Sequence, residues 1–233
     1  MNILAFDASS VSCSVCVSAN GITVAESYMR SGLTHSATLL PSVEGVLKKA
    51  GLAMPDIDEV CLTVGPGSFT GVKIGVATAK GLCFAGNIPV VGVSTMEALA
   101  YNAEVNDGLV CPVLDARRNM FYNALFLFRN GGMTRLCPDR QVSFDDLFSE
   151  IKDRPVTVIG DGAALFAGKC AENGVTVNVP DEKRVYIQAE SIVRAVSAGC
   201  GTKTTPDALV PLYLRPSQAE RERAERLKKE QEK

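Results

Sequence analysis

The chain has 233 residues, 46% of them hydrophobic and 21% charged, and a formal net charge of −2. That length suits one large domain or two of about 100 residues, the balance is an ordinary globular one, and the small net charge excludes a long-range pull on nucleic acid. No apolar run approaches the ~20 residues of a membrane span, and the start, MNILAFDASS, lacks a basic leader and reads directly as a strand, so a cytoplasmic protein with no membrane contact is expected.

NILAFDAS reads as an apolar strand, SCSVCVSA as a second and ITVAESYM as a third, with Asn20-Gly21 as the hairpin turn between the last two. The period then changes. Leu39, Leu40, Val43, Val46 and Leu47 recur at helical spacing and predict a helix from His35 to Ala50. Thr34 or Ser36 can cap its start and Gly51 ends it. Pro41 is expected near the first turns, where a missing amide costs least. EVCLTV is a buried strand, and GPGSFTGVKIGVATAKGLCFAG follows over residues 65–86. IPVVGV is another strand, and Ser94-Thr95-Met96-Glu97 fits a capping box opening a helix to Asn102.

The second half repeats this order. LVCPVLDA, MFYNALFLF and MTRLC read as three strands, SFDDLFSEI as a capped helix, PVTVIG as a strand, AALFAGKC as a helix, and YIQAESIVRAVSAG as a longer amphipathic helix. Asp7 ends the first strand of one half and Asp115 that of the other. Two copies of β-β-β-α-β-α with a cleft between them predict the α/β duplicated fold of the actin-like or ribonuclease H-like kind. The lobes are expected at 1–103 and 104–215. The mixed-charge tail over 216–233 reads as a solvated, frayed helix.

The glycine-rich segment has two readings. As a phosphate loop it fails both common fingerprints. Gly71 is followed by Val72 rather than Lys, and three residues rather than two separate Gly67 from Gly71. An amide nest at Gly67 to Phe69 could still hold an anion. As a packing surface, Gly71, Gly75, Ala79 and Cys83 form one stripe of small side chains, with Val72 and Val76 beside it. Glycine inside a helix costs about 1 kcal/mol against alanine, so two of them imply close approach of something. Either the Leu39–Leu47 helix or another subunit would serve.

Chemistry-bearing residues are few. The eight cysteines lie mostly in apolar runs, as buried free thiols do. Cys13 and Cys16 share a strand, three apart, and so point to opposite faces. One histidine, His35, rules out a multi-histidine metal site, and a capping or packing role suits it at a helix entry. Asp7, Ser9 and Ser10 could face the cleft. In a sugar-kinase-like site, Asp7 would orient metal waters and the two serines would hold phosphate; strand-end turn chemistry is the alternative.

FDAS, HSATLLP, GPGSFTGVKIGVATAKGL, STMEAL, LDARRNMFY and PLYLRPSQAE together resemble the bacterial TsaB (YeaZ) family over nearly the whole chain. The resemblance implies a two-lobed actin-like (ASKHA) fold. It also implies a role in forming N6-threonylcarbamoyladenosine beside the anticodon of tRNAs that read ANN codons, as a non-catalytic scaffold. The catalytic relative TsaD carries an HxxxH metal pair after the strand matching VVGVST, where this chain has Thr95 and Leu99. Neither can take the place of a histidine ligand. The resemblance further implies that the two first-lobe helices bind TsaD, with TsaE nearby, and close a homodimer in its absence. The expected contacts are Ser36, Leu39, Leu40, Val43 and Leu47 on one helix and Gly71, Val72, Lys73, Gly75, Val76 and Ala79 on the other. ATP or ADP would sit at a composite site with TsaD, and tRNA would be met only through the complex. A kinase-like or peptidase-like enzyme acting alone, or a plain homodimeric binding module, are the competing readings.

Overall fold

The computed structural model describes residues 1–214. The first half contains β1 (Asn2–Asp7), β2 (Cys13–Ala19), β3 (Ile22–Met29), α1 (His35–Ala50), β4 (Glu59–Thr63), α2 (Phe69–Phe84), β5 (Val90–Val93) and α3 (Thr95–Asn102). The second contains β6 (Gly108–Asp115), β7 (Met120–Asn123), β8 (Phe126–Arg129), β9 (Gly132–Arg135), β10 (Arg140–Ser143), α4 (Phe144–Ile151) and β11 (Val156–Ile159). After these come α5 (Ala163–Glu172), α6 (Glu182–Val185), α7 (Ala189–Ser197) and β12 (Thr202–Thr204).

One sheet runs β12-β5-β4-β1-β2-β3 and the other β10-β7-β6-β8-β9, with β11 on the free edge of β6. β1 pairs antiparallel with β2 and parallel with β4, and β6 repeats this with β7 and β11. This is the expected duplication. Alternation sorts the first sheet's side chains into two layers. Leu4 and Phe6 face the α1 and α2 side, whereas Ile3 and Ala5 face the layer that holds α3 and α7. Burying one side chain such as Phe6 contributes about 1.5–3 kcal/mol. Cys13 and Cys16 fall into different layers, and all the cysteines are free thiols.

Three local readings are refined. MFYNALFLF is not one strand. It lies along one edge of β6 but breaks at Ala124 and Leu125. Pro112 on β6 has no amide to donate there, and Asn123 Nδ2 instead donates to the Pro112 and Ala124 carbonyls. Pro41 is the seventh residue of α1 rather than a first-turn residue, and its ring is exposed. The capping box is half made. Ser94 Oγ accepts from Met96 N and Glu97 N, while the Glu97 carboxylate pairs with Arg135 at 3.1 Å.

The division at 103/104 needs a correction. β12 pairs antiparallel with β5, and α7 packs on β1, β2, β4 and β5, so residues 189–204 return to the first sheet. The apolar side of α7, through Ile192, Val193 and Ala195, fills the layer between the sheets. The outer face of the second sheet is already covered by α4 and α5. The expected tail at 216–233 lies outside the described residues.

Candidate functional site

The ends of β1 and β4 meet at a buried polar knot. Asp7 Oδ1 accepts hydrogen bonds from Ser9 N at 3.0 Å, from Ser9 Oγ and from Thr63 Oγ1. Asp7 Oδ2 is buried with no protein partner. The glycine segment closes over this turn. Ser68 N donates to the Ser9 carbonyl at 2.7 Å, and His35 Nε2 donates to the Ser10 carbonyl at 2.8 Å. A Cβ at Gly67 would sit 2.3 Å from Ser9 O, and one at Gly71 2.0 Å from Ala8 O. Here glycine is required by the approach of backbone to backbone.

These contacts bear on the phosphate reading. Asp7, Ser9 and Ser10 are all buried, at 0%, 1% and 7% exposure. The Ser9 hydroxyl and the Ser68 amide, which a phosphate would need as donors, are already given to Asp7 and to Ser9. The Ser9 hydroxyl and the central amide of the Gly67–Phe69 nest are therefore used to hold the chain itself. His35 clamps the turn, rather than capping the helix that it opens.

The second half builds the same device with residues that the sequence reading passed over. Gly160 and Gly162 follow β11 and press on the end of β6. Their Cβ atoms would lie 2.2 Å from Val113 O and 3.0 Å from Asp115 N. Between them Asp161 Oδ1 accepts from Asp115 N at 3.1 Å. Thr63 was missed as well. The signal for both was the parallel placement of GPG after CLTV and GDG after VTVI. Burial pushes the Asp161 carboxyl from its ordinary 3.8 up to about 6, with the neighbouring Asp115 and Asp7 charges adding to the rise. Burial likewise raises Asp7, against its bonds from Ser9 and Thr63.

The folded chain thus holds a proton on Asp161 that the unfolded chain releases. The stability this confers is full below about pH 4 and lost as pH rises through about 6. A rise from 3.8 to about 6 is worth about 3 kcal/mol. Asp161→Asn keeps the Oδ1 acceptor. Its stability relative to wild type is expected to grow by about that amount between pH 4 and pH 7, measured by urea unfolding. A difference independent of pH would contradict the burial argument.

The helices α1 and α2 cover the other side of the first sheet. Of the expected contact residues, Ser36, Leu40 and Lys73 are exposed, whereas Leu39, Val43, Leu47, Gly71, Val72, Gly75, Val76 and Ala79 are buried. The small stripe packs inward. Gly71 meets the Ala8 turn, and Gly75 faces Ala8 and Leu62. Its partners are the chain's own sheet, the Ala8 turn and, at Gly71, the His35 ring at the start of α1. This is a correction of those eight assignments, and its cause is that α2 must cross the Ala8–Ser10 turn at backbone distance. The outward side carries other residues. Leu40 is 44% and Phe84 72% exposed, and Lys73, Ala77 and Gly81 are exposed on α2 between Phe69 and Phe84. Thr95 and Leu99 are both fully buried.

Comparison with known proteins places this arrangement. Residues 30–208 match the family model TsaD, described as tRNA N6-adenosine threonylcarbamoyltransferase. A Bacillus subtilis relative, named tRNA threonylcarbamoyladenosine biosynthesis protein TsaB, is 35% identical over 167 residues, 71% of this chain and 73% of the relative. The Escherichia coli K12 protein of the same name is 36% identical over 124 residues, 52% of this chain and 53% of its own length. Among solved structures, YeaZ from Pseudomonas aeruginosa superimposes with a TM-score of 0.77 at 26% identity, over 91% of this chain and 99% of that one.

Proposed function

The chain belongs to the TsaB family, and on that premise we propose that it is the non-catalytic scaffold subunit of a threonylcarbamoyladenosine-forming complex acting on tRNA. It binds a catalytic subunit of the TsaD family through the outward side of α1 and α2, with TsaE joining the assembly in the cytoplasm. The observation that carries this reading is the state of those two helices. Their inward apolar residues are fully used by the first sheet, yet Leu40 and Phe84 remain 44% and 72% exposed. The outward residues between Lys73 and Phe84 on α2 include Ala77 and Gly81, which allow a second helix to approach closely.

The donor set supports the non-catalytic part. Among the described residues no three His, Cys, Asp or Glu side chains are grouped to hold a metal ion. The sole histidine is spent on the Ser10 carbonyl. ATP or ADP would sit at a composite site with the partner, since the Ser9 hydroxyl and the Ser68 amide are given to Asp7 and to Ser9. Among the described residues no helix is long and apolar enough to cross a membrane.

Reconstitution tests the proposal. The purified chain, mixed with its TsaD-family relative, TsaE, ATP, threonylcarbamoyl donor and tRNA, is expected to be necessary for modified adenosine and unable to make it alone. Modification by this chain without the relative would restore the enzyme reading.

A further inference from the structure

The chain's last described stretch crosses back over the first lobe as a strap. Lys80 Nζ donates to the Asp207 carbonyl at 3.1 Å, and Leu209 is buried beside Gly92. Leu212 N donates to the Val64 carbonyl at 2.7 Å. The Leu212 carbonyl lies where a Cβ at Gly65 would be, at 2.4 Å, and Gly65 has φ +111°. The glycine loop therefore seats the Ser9 turn through Gly67 and the strap through Gly65. At the end of the strap Tyr213 stacks on Phe69, with ring centroids 4.4 Å apart and planes at 24°. Phe69 is the first residue of α2.

This aromatic pair is placed at the surface. Phe69 is 38% exposed, Tyr213 39%, Leu212 38% and Val210 69%. Three side chains on the pinned strap and Phe69 on α2 are preorganised for contact, since ordering them costs little on binding. They are continuous with α2, because Phe69 and Lys73 lie one turn apart on the same outward side. Residues 30–208, which include α1 and α2, match the TsaD model, so this chain and a catalytic relative are related over that region. A partner seated on the outward side of α2 would meet the start of that helix at the edge of the contact, where the strap extends it.

From this geometry we infer that the strap is part of the docking surface. Phe69, Tyr213 and Val210 form an aromatic and aliphatic anchor for the TsaD-family subunit, beyond the two helices. The inference rests on the proposed function. Stacked rings in a partly buried pocket are the residue types that dominate interface energetics. Stacking needs only the ring, so Tyr213→Phe is expected to keep more of the affinity than Tyr213→Ala.

The experiment measures the dissociation constant for the catalytic subunit by calorimetry, with wild type, Tyr213→Ala, Tyr213→Phe and Val210→Ser, each checked for an unchanged melting profile. Tyr213→Ala is expected to weaken binding ~10-fold or more, and Val210→Ser, which is exposed and cannot unfold the strap, several-fold. Wild-type affinity for both Tyr213→Ala and Val210→Ser would overturn the strap's role. If Ala77→Arg on the outward side of α2 binds normally in the same series, the helix-face reading itself is at fault. If Ala77→Arg fails to bind while the strap variants do, only the extension fails. A strap variant that alters self-association but not partner affinity would assign the strap to a second copy of this chain and overturn the proposal.

Discussion

Gly71→Ala is expected to cost the chain about 3 kcal/mol or more, while Gly75→Ala, one turn later on the same helix, is expected to be neutral or stabilising. At Gly71 the added Cβ meets Ala8 O at 2.0 Å and His35 Cδ2 at 3.2 Å. The carbonyl cannot retreat, because the turn is pinned by Ser68 N on Ser9 O and by His35 Nε2 on Ser10 O. Overpacking against fixed backbone sits at the upper end of the usual cost of inserted methyl groups. At Gly75 the nearest atoms are Ala8 Cβ at 3.9 Å and Leu62 Cδ1 at 4.0 Å, which is ordinary contact. Helix propensity then favours alanine by up to about 1 kcal/mol. Denaturant unfolding of the two variants, with midpoints moving in opposite directions, is the expected result. Equal shifts would mean that the stripe acts as one surface, as its spacing alone suggests.

The second large effect concerns binding rather than folding. Ala77→Arg lies on the exposed side of α2, so its stability should change by only about 0.5 kcal/mol. In a helix-to-helix contact the same guanidinium would be buried without a partner. Such a charge costs several kcal/mol, and about 3 kcal/mol is already a loss of ~100-fold in affinity. Val76, by contrast, is 5% exposed and belongs to the chain's own core. Val76→Glu would abolish the complex by unfolding the first lobe, and its failure to bind would say nothing about docking.

The difference between Ala77 and Val76 shows what was legible before the structure. Period two placed Cys13 and Cys16 on opposite faces of β2, and the repeated strand-helix order disclosed the duplication. Helical spacing also showed that Gly71, Gly75 and Ala79 share a side. It could not say which way that side faces, because a small-residue stripe suits a sheet, a helix or a partner equally. Backbone-to-backbone approach at Ala8 decides it, and that is a long-range contact without a local signature. The return of α7 and β12 to the first sheet was hidden for the same reason. An amphipathic helix announces that it needs a surface and not which surface. Asp161 and Thr63 were overlooked because each acts as an isolated polar residue at a strand end. Their roles depend on Asp115 and Asp7, tens of residues away in sequence. The resemblance to a known family supplied the role in threonylcarbamoyladenosine formation, but eight of the eleven contact residues it implied pack inward.

The account's central claim is that the outward side of α1 and α2 delivers this chain to a catalytic relative, and that the chemistry belongs to that relative. The most direct measurement is the yield of threonylcarbamoyladenosine on tRNA with the catalytic subunit held constant, titrated with wild-type chain and with Ala77→Arg. Yield should rise to saturation with wild type and stay near the level without added chain for the folded variant. Equal titration curves for the two proteins would contradict the claim.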